Sequence, residues 1–134
     1  MKKFALKTLA IVLFTSTALI SCSDDDGGET IILKKSLVSL VEGPTTGVKN
    51  QEVTLNVSYG VENSCGNFNK FVETISGNTK TIEVESKYVG DNCGQVAVTK
   101  VTPYKFTVNQ AGTYIFKFKK SASEFITQTV VISE

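Results

Sequence analysis

The chain has 134 residues and a formal net charge of +1, with 41% hydrophobic and 20% charged residues. That is enough chain for one hydrophobic core, and it is too apolar for a disordered polymer. It contains no His, no Trp and no Arg, which excludes Ser-His-Asp and Cys-His catalysis and any His-ligated metal site.

Lys2, Lys3 and Lys7 give the chain a basic start, and residues 8–21 carry no charge. A spanning helix needs about 20 apolar residues. This run is shorter and is diluted by Ser and Thr, so it reads as a secretory signal over residues 1–21. Its end, Leu19-Ile20-Ser21-Cys22, resembles the bacterial lipobox. The resemblance implies cleavage before Cys22, a diacylglycerol on its sulfur and acylation of the new amine. Cys22 is therefore the expected lipid-attachment residue, and the membrane is the expected partner through that anchor. Each buried methylene contributes about 0.8 kcal/mol, so two or three acyl chains make an anchor that hardly dissociates.

Residues 22–30 then read as an acidic, glycine-containing tether. Ser23-Asp24-Asp25-Asp26-Gly27-Gly28-Glu29 cannot pack and stays solvated. The run also resembles the acidic signal that follows the lipid cysteine in surface lipoproteins of Bacteroidota. That likeness implies an address on the outer membrane, at the cell surface of a Gram-negative bacterium.

Cleavage would remove Lys2, Lys3 and Lys7 and no acid, turning the net charge from +1 to −2. Such a chain has no electrostatic footprint for nucleic acid. With Cys22 assigned to lipid, Cys65 and Cys93 remain as an even pair in an oxidising compartment. Two Cys without His make a poor zinc site, and no C-x-x-C is present. A structural disulfide is expected, worth about 3–4 kcal/mol in the chain-entropy account. Neither a cofactor nor a metal is expected.

From Ile31 onward the hydrophobic period is two. A first strand ends at Gly43-Pro44. Val53, Leu55, Val57 and Tyr59 mark the second, and Ser64-Cys65-Gly66-Asn67 separates it from a run over residues 68–75. Gly77-Asn78 signals a hairpin into residues 79–88, where Ile82, Val84 and Tyr88 alternate with polar neighbours. Residues 96–101 form a short strand closed by Pro103, and Tyr104, Phe106 and Val108 make another. Tyr114, Phe116 and Phe118 carry the aromatic strand, and residues 125–132 finish the chain. Seven to eight strands in residues 31–134, with turns every 8–12 residues, predict an all-β fold, an antiparallel sandwich of immunoglobulin-like kind.

Ala111-Gly112-Thr113-Tyr114-Ile115-Phe116 resembles the entry to the penultimate strand of immunoglobulin-like domains. The resemblance implies that Tyr114 is a tyrosine-corner residue bonded to nearby backbone. Phe116 stands where antibody domains carry their second Cys. Residues 51–55, 63–68 and 112–114 together resemble small Bacteroidota lipoproteins, which implies a fold and an address but no activity.

Four features offer themselves as sites. Pro44-Thr45-Thr46-Gly47 resembles the P-T-T-G loop of chagasin-like protease inhibitors, but Val48-Lys49-Asn50 follows it and Trp is absent, so an ordinary turn is expected. Glu83 and Glu85 share a strand face about 6–7 Å apart at strand rise, within the range of glycosidase carboxylates. Such pairs arise by chance on polar sheet faces. Asn56-Val57-Ser58 matches the glycosylation sequon on a strand, which reads as coincidence. Glu62, Asn63, Asn67, Asn69, Asp91 and Asn92 lie near the two cysteines and serve turn conformations before ligands.

The expected function is that of a non-enzymatic, lipid-anchored surface lipoprotein working as a binding or accessory module, whose partner is a protein, a glycan or an envelope component. The alternative is a structural or assembly factor of the envelope without a soluble ligand.

Overall fold

Nine strands make up the folded part of the computed structural model, whose described residues are 27–134. They are β1 (Ile31–Ser36), β2 (Val38–Glu42), β3 (Thr46–Val48), β4 (Val53–Val61), β5 (Gly66–Ser76), β6 (Thr79–Val89), β7 (Val98–Phe106), β8 (Gly112–Lys119) and β9 (Phe125–Ser133). The signal run and Cys22 lie outside the described residues.

The strands form a two-sheet sandwich. The smaller sheet has the order β2-β4-β7 and is antiparallel throughout. In the larger sheet β6 is central. β5 runs antiparallel along one edge of β6. The other edge is divided: β8 pairs with residues 79–82 and β1 with residues 84–89. β9 and then β3 extend the sheet beyond β8.

Period two explains what packs between the layers. β4 buries Val53, Leu55, Val57, Tyr59 and Val61 and turns Asn56 and Gly60 outward. β6 faces it with Ile82, Val84, Ser86 and Tyr88, and β8 with Phe116 and Phe118. β7 adds Tyr104 and Phe106, whose rings lie against Phe116 at centroid distances of 5.9 and 4.2 Å. Ser86 is the one polar residue in the inward row of β6. Its hydroxyl meets that of Ser36 at 2.7 Å, so neither is left unbonded in the core.

The Tyr114 hydroxyl donates to the Gln110 carbonyl at 3.0 Å, which is the corner expected of it. The hairpin at Gly77-Asn78 is also present. Gly77 has φ = 60° at the first turn position, where a side chain would be strained.

The strand count differs from the expected seven to eight for three reasons. The first expected strand is split, because the chain crosses from one sheet to the other at Leu37. Thr46–Val48 is an edge strand rather than part of a turn. The two strands expected on either side of Pro103 are one, β7. Pro103 is tolerated inside β7 because that strand pairs only with β4, leaving an edge where the missing N–H is not needed. Two pairings, β3 with β9 and β6 with β8, are parallel rather than antiparallel. Both join strands separated by long connections through the opposite sheet, as parallel neighbours require.

Candidate functional site

One end of the sandwich collects the entry of β1, the end of β4, the start of β5, the end of β6 and the loop of residues 90–97. The Gly90 N–H donates to the Thr30 carbonyl at 3.3 Å, so the tether joins the domain at this end. Cys65, just before β5, and Cys93, in the 90–97 loop, have Cα atoms 5.4 Å apart and sulfurs at bonding distance. Beside them the Ser64 N–H donates to the Gly94 carbonyl at 3.1 Å. The Gly94 N–H returns a bond to the Ser64 hydroxyl at 2.8 Å. The two loops are thus clasped by one covalent and two hydrogen-bonded links.

A cleft of about 320 Å³ opens where the chain passes from β1 to β2, lined by Ser36, Leu37, Val61, Glu62, Tyr88 and Ala97 among others. The Tyr88 hydroxyl accepts the Glu62 N–H at 2.9 Å, leaving its own proton free to donate. The Lys34 ammonium lies 5.3 Å from the centre of the Tyr88 ring and is ion-paired with Glu62. The hydrogen bond that Lys34 donates to the Glu62 carboxylate holds the Lys34 pKa above its ordinary value. The site therefore offers an apolar wall, one hydroxyl donor and a paired charge at the rim. At this volume it suits a small polar ligand or a single side chain.

The model of the ORF11 beta-sandwich domain matches residues 55–131, more than half of the chain. The chain belongs to the ORF11 β-sandwich domain family. No curated protein and no solved structure matches it. The matched stretch of the ORF11 sandwich runs from β4 into β9 and contains Cys65, Cys93, Glu62, Tyr88 and Ala97. Ser36 and Leu37, which close the cleft, lie before it.

The ORF11 sandwich does not bring the six loop residues named from the sequence onto one point. Glu62 stands at the cleft rim. The Asn63 side chain accepts the Cys65 N–H at 3.0 Å, an Asx-type turn. Asn67 donates to the Cys65 carbonyl and accepts from Lys100 at 2.7 Å. Asn69, at a bulge in β5, donates to Glu85 at 2.7 Å. Asp91 and Asn92 are exposed in the 90–97 loop. Lys34, Ser36 and Tyr88 carry no site signal in the sequence, because only the β1–β6 pairing brings them to the end of β4.

Glu83 and Glu85 do share the outer face of β6, but each is held by partners. Glu83 meets Lys35 at 2.5 Å and Lys119 at 3.0 Å. Glu85 meets Asn69, and Lys70 at 3.7 Å. The hydrogen bonds from Lys35 and then Lys119 hold the Glu83 carboxyl below the usual carboxylate range. A general acid needs the opposite shift.

Pro44-Thr45-Thr46-Gly47 leads into β3. A Cβ on Gly47 would come within 2.8 Å of Val53 and 2.9 Å of Ile132, so the glycine is there for close packing across the sheet seam. Asn56 is exposed in the middle of β4.

Proposed function

We propose that this ORF11 β-sandwich is carried on a lipidated Cys22 at the surface of the outer membrane and works as a non-catalytic binding or accessory module. The reading places it among small lipoproteins of Bacteroidota. One observation carries it: Leu19-Ile20-Ser21-Cys22 follows a short apolar run and precedes three consecutive Asp, and nine residues after Cys22 a sandwich strand begins. Signal, anchor, tether and body thus follow one another in that order.

The depressed carboxyl of Glu83 argues against Glu83 as a general acid, because it favours ion pairing over proton donation. The clasped loops support a binding role, since rigid scaffolds commonly present binding groups on loops at one end. The ligand classes that suit the cleft are a glycan unit or a protein side chain.

Cys22→Ala tests the anchor. The altered protein is expected in the soluble fraction after cell lysis, whereas continued sedimentation with membranes refutes the anchor. Protease added to whole cells is expected to digest the unaltered protein, and full protection refutes surface exposure.

A further inference from the structure

Exposed aliphatic side chains occur on several surfaces, Leu40 and Val101 on the smaller sheet among them, but among the described residues three follow one another only in β1. Ile31, Ile32 and Leu33 follow one another in β1 and are 61%, 49% and 55% exposed. A strand that lies in a sandwich buries alternate residues. Three consecutive exposed aliphatics mean that the first half of β1 is uncovered on both faces. Val96, in the 90–97 loop at the same end, is 74% exposed. At the opposite end Ile75 and Val131 are exposed near the Gly77-Asn78 turn, on separate strands rather than in a run.

We infer that this end docks on a phospholipid bilayer, with Ile31, Leu33 and Val96 entering the boundary between headgroups and acyl chains. The inference rests on the lipid-anchor reading above. The nine residues from Cys22 to Ile31 extend at most about 30 Å at 3.3–3.6 Å per residue. An anchored chain therefore holds this end within about 30 Å of the membrane. Because one lipid-held point already confines the domain, the dock needs only a weak additional affinity.

The charges around the patch suit an interfacial position. Lys87 lies directly across from Leu33 on the same face of the sheet and has no ion-pair partner among the described residues. Lys34 adjoins Leu33. Long lysine stems let the ammonium stay among headgroups while neighbouring aliphatics go deeper. Lys34 is already paired with Glu62, and Glu29 and Asp91, also at this end, offset Lys87. The dock is therefore aliphatic rather than electrostatic, and salt should leave it largely unchanged.

The test uses the full lipidated protein reconstituted in phosphatidylethanolamine–phosphatidylglycerol vesicles that contain an acyl-soluble diazirine probe. After photolysis, peptides are mapped by mass. Adducts are expected on the peptides covering residues 31–33 and 94–98 and not on those covering 77–78 or 109–112, with the same pattern at high salt. The double variant Ile31→Ser, Leu33→Ser changes only exposed positions and is expected to lose the adducts at 94–98. Acylated Cys22 with 31–33 and 94–98 no more labelled than 109–112 overturns the dock while leaving the anchor standing. A Cys22 peptide without acyl mass overturns both.

Discussion

Tyr104 carries a hydroxyl into the middle of the sandwich, only 2% exposed, where among the described residues Glu73 is the one carboxylate placed to accept from it and no bond of full geometry is made. Burial, with the Glu73 carboxylate nearby, pushes its pKa well up. The ring is needed, because it lies edge-on to Phe71 at 5.0 Å and to Phe118 at 5.5 Å. The oxygen is a cost, since an unbonded buried polar group is unfavourable by about 1–3 kcal/mol. Tyr104→Phe keeps the ring and removes that cost, so it is expected to stabilise the protein by about 1 kcal/mol in urea unfolding. A loss of stability would mean that the hydroxyl is bonded. Glu83 makes the opposite case. Its folded pKa lies below the unfolded value near 4.3, so its contribution is present above that pH and is lost as pH falls through the folded value. Glu83→Gln should therefore lower Tm at pH 7, and the gap to the unaltered protein should close below about pH 4. Thermal melts across that range check this, and a gap independent of pH would contradict it. Among single residues, Tyr114 was legible in the sequence, because its bond is made four residues away within a local Gly-x-Tyr pattern. The Lys35–Glu83–Lys119 group was not, because it needs β1, β6 and β8 in register.

Strands with one face in the core announced themselves through alternation, as in β4, β6 and β8. The elements that escaped are those whose burial does not alternate. β1 is exposed through most of its length, and β3 is only three residues long. The crossing at Leu37 has no Gly or Pro to mark it. Pro103 gave a false stop, because a proline reads the same whether it ends a strand or sits on an unpaired edge. The clasped end was half legible. The cysteine pair followed from counting, whereas the cleft depends on how β1 and β4 meet. Gly66 shows how tightly that end is built. A Cβ there would come within 2.6 Å of Val61 and 2.8 Å of Tyr88. Gly66→Ala is expected to destabilise the protein by about 1–3 kcal/mol through overpacking. It should also disturb the cleft, because Tyr88 is the residue pushed. Chemical denaturation gives the first quantity. A changed tyrosine environment in near-ultraviolet circular dichroism gives the second, and an unaltered midpoint and spectrum would show that the end is looser than described.

At the scale of the molecule, the two sheets are joined less by hydrogen bonds than by interleaved rings. Tyr104 and Phe106 come from the smaller sheet, and Phe71, Phe116 and Phe118 from the larger. Offset and edge-on aromatic pairs contribute about 0.5–1.5 kcal/mol beyond the area they bury. Each ring here touches partners across the layer, so neither sheet keeps its packing when the other is lost. The sandwich should then unfold as one unit, with calorimetric and van't Hoff enthalpies equal. The pair Phe106 and Phe116, 4.2 Å apart, makes the coupling measurable. Each change to Leu removes a ring from a site that is nearly closed to solvent, and the second change acts on a core the first has already loosened. The double variant is therefore expected to lose less stability than the two single losses added together, with a coupling of about 0.5–3 kcal/mol. Strict additivity, or a calorimetric trace with two transitions, would show that the layers melt separately and that the ring contacts do not hold them together.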